Sequence, residues 1–190
     1  MAFIDDDEAL IAAALKGSSF AWEKLVKRHE TRVFNYGLRL TGNATDAMDL
    51  MQEVFLGIYR NLHRFRGDSQ FTTWMFRIAH NKAIDMNRRK SLFAGQVDVD
   101  GDEAMQIADS PPGIEPEYEL MRAQTNSGIQ ALLQVLPMEQ RIIVELKIFQ
   151  SQTFEEIAAM QDISENTAKT RFYTALRKLK SALEKSHVLS

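Results

Sequence analysis

The sequence predicts an all-α protein with two small helical domains joined by a flexible acidic linker. Apolar residues recur at helical spacing on both sides of the middle of the chain, and no stretch alternates as a strand would. Residues 91–120 differ, because they hold eight acids, no base and six Gly and Pro. A chain of 190 residues can bury one sizeable core or two small ones. We therefore expect domains at 1–90 and 121–190, with 91–120 as the linker.

Composition narrows the classes of function. The chain has no cysteine, which excludes disulfides, thiolate metal sites and a thiol nucleophile and fits a reducing cytoplasm. The N-terminus is acidic where a signal peptide would be basic, and no apolar run approaches membrane-spanning length. We expect a cytoplasmic protein. The net charge of −3 is uneven, with +7 over 16–90, −8 over 91–120 and +2 over 121–190. Two basic blocks around an acidic segment favour a nucleic-acid partner.

The first two helices have clear start and stop signals. Residues 5–16 form a short amphipathic segment with acids at its N-terminal end, which suits the helix dipole. Ser18 or Ser19 can cap a longer helix that runs to about Leu40, and Gly42 can end it.

The third helix predicts one buried stripe and one polar flank. Asn43 or Thr45 can start it. The residues expected in the buried stripe are Met51, Val54, Phe55, Ile58 and Leu62. The polar flank contains Asp49, Gln52 and Glu53.

The stretch from Phe65 to Lys90 mixes aromatic and basic residues. A turn-like group from Arg66 to Ser69 precedes about five helical turns, with Ser69 as the expected N-cap. The apolar face contains Met75, Ile78, Ala79 and Met86. The opposite face contains Thr73, Arg77, His80, Asn81 and Arg88. Rings that stack on bases beside cations that track phosphates suit unpaired DNA, whereas the alternative is a core helix with a solvated basic face.

The segment 91–120 has two interpretations. Its Pro, Gly and acids favour a flexible linker. The alternative is an internal DNA mimic that covers a basic face. Helical spacing resumes at Glu117, and Pro137 starts a new helix that runs through about Phe149.

Residues 153–180 have the spacing of a helix-turn-helix. Thr153 and Glu156 form a capping box that opens a short helix, which ends at Met160 or Gln161. Ser164 can cap the longer second helix, which runs to about Lys185. Candidate DNA contacts on that helix are Asn166, Thr167, Lys169, Thr170, Arg171 and Arg177. The alternative is an ordinary helical hairpin with a solvated basic face.

Taken together, these motifs resemble a two-domain bacterial sigma factor of the extracytoplasmic-function (ECF) group. The resemblance to the promoter-melting domain covers Phe20 to Lys90 and includes DLMQEVF from Asp49, FRGDS from Phe65 and FTTW from Phe71. The resemblance to the second domain includes Leu136-Pro137, FEEIA from Phe154 and TAKTR from Thr167.

The resemblance implies roles for three groups of residues. Asp49, Gln52 and Glu53 would bind the clamp of core RNA polymerase. A second group would capture the single-stranded −10 element: Phe65, Arg66, Asp68, Ser69, Gln70, Trp74, Arg77, Asn81 and Arg88. The second domain would place its recognition helix in the duplex −35 element. An anti-sigma factor is a further partner that the resemblance allows, and it could hold the chain at the inner membrane, although no residue indicates one.

Four residues depart from the family pattern. Gln161-Asp162 and Asn166 stand where glycine is common, and Ala168 replaces a more usual valine. Catalysis finds little support, because the four histidines are scattered and no phosphate-binding loop or paired catalytic carboxylates occur. We expect the histidines on the surface or on polar faces, and we expect no cofactor, metal or small-molecule substrate. The alternatives to a sigma factor are a free-standing helix-turn-helix regulator and, more remotely, an enzyme acting on nucleic acid.

Overall fold

The computed structural model describes residues 7–94 and 127–188, and these residues form helices without any β-strand, which confirms the all-α prediction. They also include a 3₁₀ turn at Leu62–Arg64 and a single π-helical turn at Glu145–Phe149. The helices are α1 (Asp7–Leu15), α2 (Ser19–Thr41), α3 (Ala44–Asn61), α4 (Phe71–Ala94), α5 (127–134), α6 (Met138–Val144), α7 (Phe154–Gln161) and α8 (Glu165–Val188). Most of the predicted linker lies outside the described residues.

Two compact units divide the described residues. The first contains residues 7–35 and 48–94, and the second contains residues 36–47 and 127–188. Within the described parts, no helix is both long enough and apolar enough to cross a membrane.

The predicted caps are mostly confirmed. The Ala21 amide donates to Ser18 Oγ at 3.2 Å, and the Asp46 amide donates to Asn43 Oδ1 at 2.8 Å. Gly42 adopts a φ of 80° directly after α2, where a side chain would be strained. The predicted cap at Ser69 is wrong: α4 begins at Phe71, and the Ser69 hydroxyl instead lies 3.4 Å from the Gln70 carbonyl.

The core of the first unit packs α3 against α4. Leu50, Val54 and Ile58 are almost fully buried on α3, and Met75 and Ala79 are fully buried on α4. Leu50 therefore occupies the centre of the stripe where Met51 was expected, while Met51 and Phe55 lie half-buried at its edge.

Gly57 allows α3 and α4 to approach closely. A Cβ atom at this position would lie 3.0 Å from Ile78 Cγ2 and 3.4 Å from Lys82 Cε. Both distances are at or below ordinary van der Waals contact, so any larger residue would have to displace the ends of the Ile78 and Lys82 side chains.

The second unit buries a polar residue in its core. Ile142, Ile143 and Leu146 are fully buried, and so is Glu145, with no exposed surface. Glu145 begins the π turn, a rare irregularity that often occurs at functional sites.

The predicted exposure of two histidines is wrong. His29 and His80 are only 5% and 8% exposed. His29 Nε2 lies 3.0 Å from Asp7 Oδ2, and its ring packs against Phe71, so this histidine joins α1 and α4 to α2. Burial lowers the pKa of His80, and burial also lowers the pKa of His29 despite the opposing effect of Asp7.

Candidate nucleic-acid interface

The polar flank of α3 is an exposed surface. Asp49 and Gln52 are exposed, while Leu50 and Val54 of the same helix face the core. Glu53 is 46% exposed, and its Oε2 accepts a hydrogen bond from Lys82 Nζ of α4 at 3.1 Å. All three predicted polymerase contacts therefore lie on one side of the helix, at spacings of three and four residues.

Two apolar residues that the sequence analysis missed extend this surface. Leu56 and Tyr59 are 47% and 64% exposed. Trp22 of α2 packs edge-on against Tyr59 with ring centroids 5.1 Å apart. Their spacing from Asp49, seven and ten residues, could have identified them, because it continues the same helical face. We define Asp49, Gln52, Glu53, Leu56 and Tyr59 as the α3 face.

The loop before α4 rests on a cluster of aromatic rings. The centroid of Phe65 lies 5.7 Å from that of Phe71 and 5.4 Å from that of Trp74. Phe71 is buried, so it belongs to the core, whereas Phe65 and Trp74 are half-buried beneath the loop. Phe76, the next aromatic residue of α4, is fully buried.

Above this cluster the loop itself is open to solvent. The exposed residues are Arg66, Asp68, Ser69 and Gln70. Gly67 has a φ of 76°, and nothing lies within 4 Å of the position where its Cβ would be. Glycine is therefore favoured here by the left-handed backbone conformation of the turn, and not by close packing.

The outer face of α4 presents a row of polar and basic side chains. Arg77, Asn81 and Arg88 are exposed, as predicted, while His80 turns inward against the expectation. The three exposed residues are four and seven positions apart, so they lie along one side of the helix. The structure thus brings together the predicted loop and the predicted basic face of a single helix.

The helix-turn-helix forms with a left-handed aspartate at its turn. Thr153 and Glu156 make the predicted capping box, with bonds of 3.1 and 2.7 Å. Asp162 adopts φ 52° and ψ 47°, and the Ile163 amide donates to the Ala158 carbonyl at 3.1 Å. Asp tolerates this conformation better than most residues, which explains how the turn forms without glycine.

The start of α8 is fixed by Ser164. The Thr167 amide donates to Ser164 Oγ at 3.0 Å, and the two hydroxyls lie 2.8 Å apart. The Thr167 hydroxyl is thus already engaged by the cap, unlike the other predicted contacts on this helix.

One face of α8 is exposed along three turns. The exposed residues Asn166, Thr170, Tyr173 and Arg177 follow one another at intervals of four, three and four. Tyr173 is 58% exposed and was missed by the sequence analysis, although its helical spacing from Asn166 was readable. Its ring packs edge-on against Phe172, with centroids 5.5 Å apart, which restricts its orientation. We define these four residues as the α8 stripe.

The two cations beside the α8 stripe each pair with an acid. Lys169 Nζ lies 2.6 Å from Glu165 Oε1, and Arg171 Nη1 lies 3.2 Å from Glu139 Oε2 of α6. All four side chains are at least one-third exposed, so water screens these pairs and each contributes little to stability. A phosphate or a base can therefore replace either acid at small cost.

The part of the chain that the structure describes offers no candidate metal centre. Among residues 7–94 and 127–188, no three His, Asp or Glu side chains cluster in a way that could hold a metal ion.

Comparisons with known proteins match both parts of the chain. The family model for Sigma-70 region 2 matches residues 25–93, and the model for Sigma-70 region 4 matches residues 127–179. The first match contains the α3 face, the loop and most of α4, and the second contains the helix-turn-helix.

Curated relatives match over most of their length. The ECF RNA polymerase sigma-E factor of Escherichia coli K12 is 30% identical over 172 residues, which cover 89% of this chain and 90% of that protein. The RNA polymerase sigma-H factor of Pseudomonas aeruginosa is 28% identical over 188 residues, with 95% of both chains covered. The Bacillus subtilis SigW factor is 28% identical, with 88% of this chain and 91% of that one covered.

Two solved structures share the fold. CnrH, solved in complex with the cytosolic domain of CnrY, aligns with a TM-score of 0.66 at 23% identity, over 94% of this chain and 97% of CnrH. RpoE of Bartonella quintana, solved with the anti-sigma factor NepR, aligns with a TM-score of 0.65 at 19% identity, over 85% and 96%.

Proposed function

This chain belongs to the extracytoplasmic-function group of bacterial RNA polymerase sigma factors, and we propose the residues through which it recruits polymerase and recognises promoters. It is a transcription initiation factor, and we infer that it catalyses no reaction of its own and needs no cofactor. One observation carries the proposal. The chain matches region 2 and then region 4, and each matched part presents an exposed polar face. A free-standing regulator would leave the region 2 match without a role.

The α3 face is proposed to bind the clamp of core polymerase. Asp49, Gln52 and Glu53 supply charge and hydrogen bonds, and the exposed side chains of Leu56 and Tyr59 add apolar area. A polar rim around aromatic and aliphatic anchors is typical of protein interfaces.

The loop and the outer face of α4 are proposed to hold the unpaired −10 strand. The polar groups of the loop, from its backbone and side chains, can reach the edge of an extruded base; these residues are Arg66, Asp68, Ser69 and Gln70. Phe65 and Trp74 lie next to the loop and offer partly exposed rings for stacking. Arg77, Asn81 and Arg88 would then follow the phosphates. A half-buried ring offers less stacking area than a free one, so we assign base recognition chiefly to the loop.

The α8 stripe is proposed to enter the major groove of the −35 element. Asn166, Thr170 and Arg177 carry hydrogen-bonding groups, and Tyr173 carries a ring that can contact a thymine methyl group. Lys169 and Arg171 flank the stripe, and Thr167 fixes the helix start with its engaged hydroxyl. Asp162 and Asn166 stand where glycine is common in the family. Both are compatible with this placement, because the turn at Asp162 and the helix cap at Ser164 form normally.

We propose functional boundaries at 90 and 120, with 91–120 connecting the two DNA-binding parts. The family matches, which end at 93 and resume at 127, support them. We also propose a cytoplasmic location and control by an anti-sigma factor. The support for this control is that RpoE, a protein of the same fold, was solved with the anti-sigma factor NepR. The support for the location is that CnrH was solved with the cytosolic domain of CnrY.

In vitro transcription with core polymerase and a genomic promoter library tests the proposal. We expect transcripts only when the chain is added, from promoters that share two short elements. Duplex binding without polymerase-dependent transcription would contradict it and favour the regulator. The same assay identifies the recognised sequences.

A further inference from the structure

Helix α1 precedes the region 2 match, which begins at residue 25. The helix is nevertheless anchored in the first compact unit, because Leu10 and Ile11 are buried. A helix of nine residues is too short to be stable alone in water. Its packing against the rest of the first unit therefore holds it in place.

The loop at residues 66–70 has little packing of its own. All five of its residues are exposed, and nothing lies within 4 Å of the position where a Gly67 Cβ would be. The bond from the Ser69 hydroxyl to the Gln70 carbonyl is long, at 3.4 Å, and lies within the loop itself. The position of the loop is therefore set by the two elements at its ends, which are the 3₁₀ turn before it and α4 after it.

Helix α1 supports the end of the loop at the 3₁₀ turn. It packs against this turn, Leu62–Arg64, and Leu62 is only 4% exposed. The Phe65 amide donates to the Leu62 carbonyl at 3.1 Å. Because the backbone leaves the turn at Phe65, α1 lies behind the point where the loop begins.

Asp7 of α1 supports the other end of the loop through His29. Asp7 Oδ2 lies 3.0 Å from His29 Nε2, and Asp7 Oδ1 accepts a hydrogen bond from Arg28 Nη1 at 2.8 Å. The side chain of His29 is only 7% exposed, and its ring packs against Phe71, the first residue of α4, with centroids 5.3 Å apart. The rings of Phe71 and Phe65 lie 5.7 Å apart, so they join the two ends of the loop. Helix α1 thus contacts the structure beneath both ends.

We propose that α1 is a brace that positions the loop at residues 66–70 for base capture, with Asp7 and His29 as its positioning residues. These two side chains act through Phe71 and the aromatic cluster beneath the loop, and not by touching DNA. A recognition loop reads a base selectively only when the residues beneath it are held by packing and hydrogen bonds of their own. The consequence for base recognition rests on the proposed function, whereas the order of the loop is a property of the free chain.

The absence of cysteine allows the order of the loop to be measured directly. A single cysteine in place of exposed Ser69 would carry a nitroxide spin label, and electron paramagnetic resonance would record its mobility in the full chain. Asp7→Ala removes the partner of His29 and leaves every aromatic ring in place. Glu8→Ala is the matched control, because it removes an exposed acid from the same first turn of α1.

We expect the label to become more mobile in Asp7→Ala and to keep its parental mobility in Glu8→Ala. Asp7→Asn should restore most of the order, because an amide can pair with either tautomer of His29. In unlabelled holoenzyme, Asp7→Ala should reduce discrimination between the preferred base and the other bases at the −10 position that the loop reads, by about fivefold or more. Permanganate reactivity on promoters that differ only at this position measures that ratio.

A purely structural role of Asp7 would lower the urea midpoint of unfolding and leave label mobility and base discrimination unchanged in the folded chain, and this result would overturn the brace. If Asp7→Ala does not fold, His29→Phe removes the same bond, keeps a ring against Phe71 and should give the same two effects. A mobile loop with parental base discrimination would overturn the positioning role. If the parent holoenzyme opened no promoter, the proposed function would fail, while the measured order of the loop would still decide whether α1 braces it.

Discussion

Lys82 Nζ of α4 lies 3.1 Å from Glu53 Oε2 of α3, and this ion pair joins the surface proposed to bind polymerase to the helix proposed to bind DNA. Both side chains are partly exposed, at 30% and 46%, so the pair contributes little to the free energy of unfolding. Its position is what matters, because a basic partner that pairs with Glu53 would compete with Lys82 for this carboxylate.

The α3 face predicts a loss of polymerase binding without loss of fold. In Asp49→Lys/Glu53→Lys, two exposed acids become cations, and core affinity should fall by about tenfold or more if the partner surface is basic. Fluorescence titration with core polymerase gives the affinity, and circular dichroism monitors the helices. Glu23→Lys, which reverses an acid that is 63% exposed on α2, is the control. Equal affinity of the folded double variant and the parent would exclude this face.

The recognition helix predicts a sequence-dependent effect at Arg171. Arg171→Ala should cost about 1–3 kcal/mol of binding free energy on a matched −35 duplex if the guanidinium leaves Glu139 to read a base edge. If it binds only phosphate, matched and scrambled duplexes should lose affinity alike, and the salt slope should fall by about one. Titrations at several salt concentrations separate the two cases. Lys180→Ala, farther along the same helix, is the control, and no effect on either duplex would contradict the placement of α8.

Strand capture predicts different defects for the loop and for α4. Substitution of Ser69 or Gln70 should change the base preferred at one −10 position, whereas Arg77→Ala should weaken open complexes whatever the sequence. Stacking and unstacking each amount to about 1–3 kcal/mol, enough to change opening tenfold. Permanganate reactivity of promoter thymines measures opening, and a promoter with a pre-melted bubble should rescue defects in melting itself. If all three variants open promoters normally, the stretch from Phe65 to Lys90 is only a core helix with a solvated face.

Asp162 predicts a gain in stability. Its φ of 52° lies in the left-handed region, where glycine carries no penalty from a Cβ atom. Asp162→Gly should therefore raise the free energy of unfolding by about 0.5–1 kcal/mol, and Asp162→Val should lower it by more than that. Urea denaturation of the full chain provides the measurement. A β-branched residue that is tolerated as well as glycine would show that the turn does not keep this conformation in solution.

His80 predicts that stability falls in mild acid. Burial lowers its pKa below the ordinary value of about 6.5, so the unfolded chain binds a proton more readily than the folded one. The contribution of neutral His80 to the free energy of unfolding is complete above the pKa of the unfolded state, and it is lost as the pH falls below that pKa. His80→Leu should reduce this loss below about pH 6.5. An identical pH dependence in parent and variant would locate the effect elsewhere, with His29 beside Asp7 as the next residue to replace.

Local chemistry explains which features were readable from the sequence. Ser18, Asn43, Thr153 and Ser164 were identified correctly as caps, because a cap depends on residues within three positions of it. Ser69 failed as a cap because Gln70 follows it before the helix begins, so its hydroxyl is one position too early.

Features that depend on partners distant in the chain were not readable. The spacing of His80 along the sequence fits the polar face of α4, and its burial depends on how this helix packs against the core. Glu145 looks like one more surface acid, and its burial depends on Arg39, which is 106 positions away. Tyr173 and Leu56 were readable in principle, because their spacing alone continues a predicted face, but apolar side chains are usually assigned to the core.

Gly57 gives the first unit a mechanical property. With no side chain at residue 57, Ile78 and Lys82 of α4 lie directly against the backbone of α3. This close approach sets the spacing between the α3 face and the exposed residues Arg77, Asn81 and Arg88 of α4. A methyl group added at this position would first displace the ends of the Ile78 and Lys82 side chains. A larger side chain would change the spacing between the two proposed binding surfaces, even if each surface kept all its own side chains.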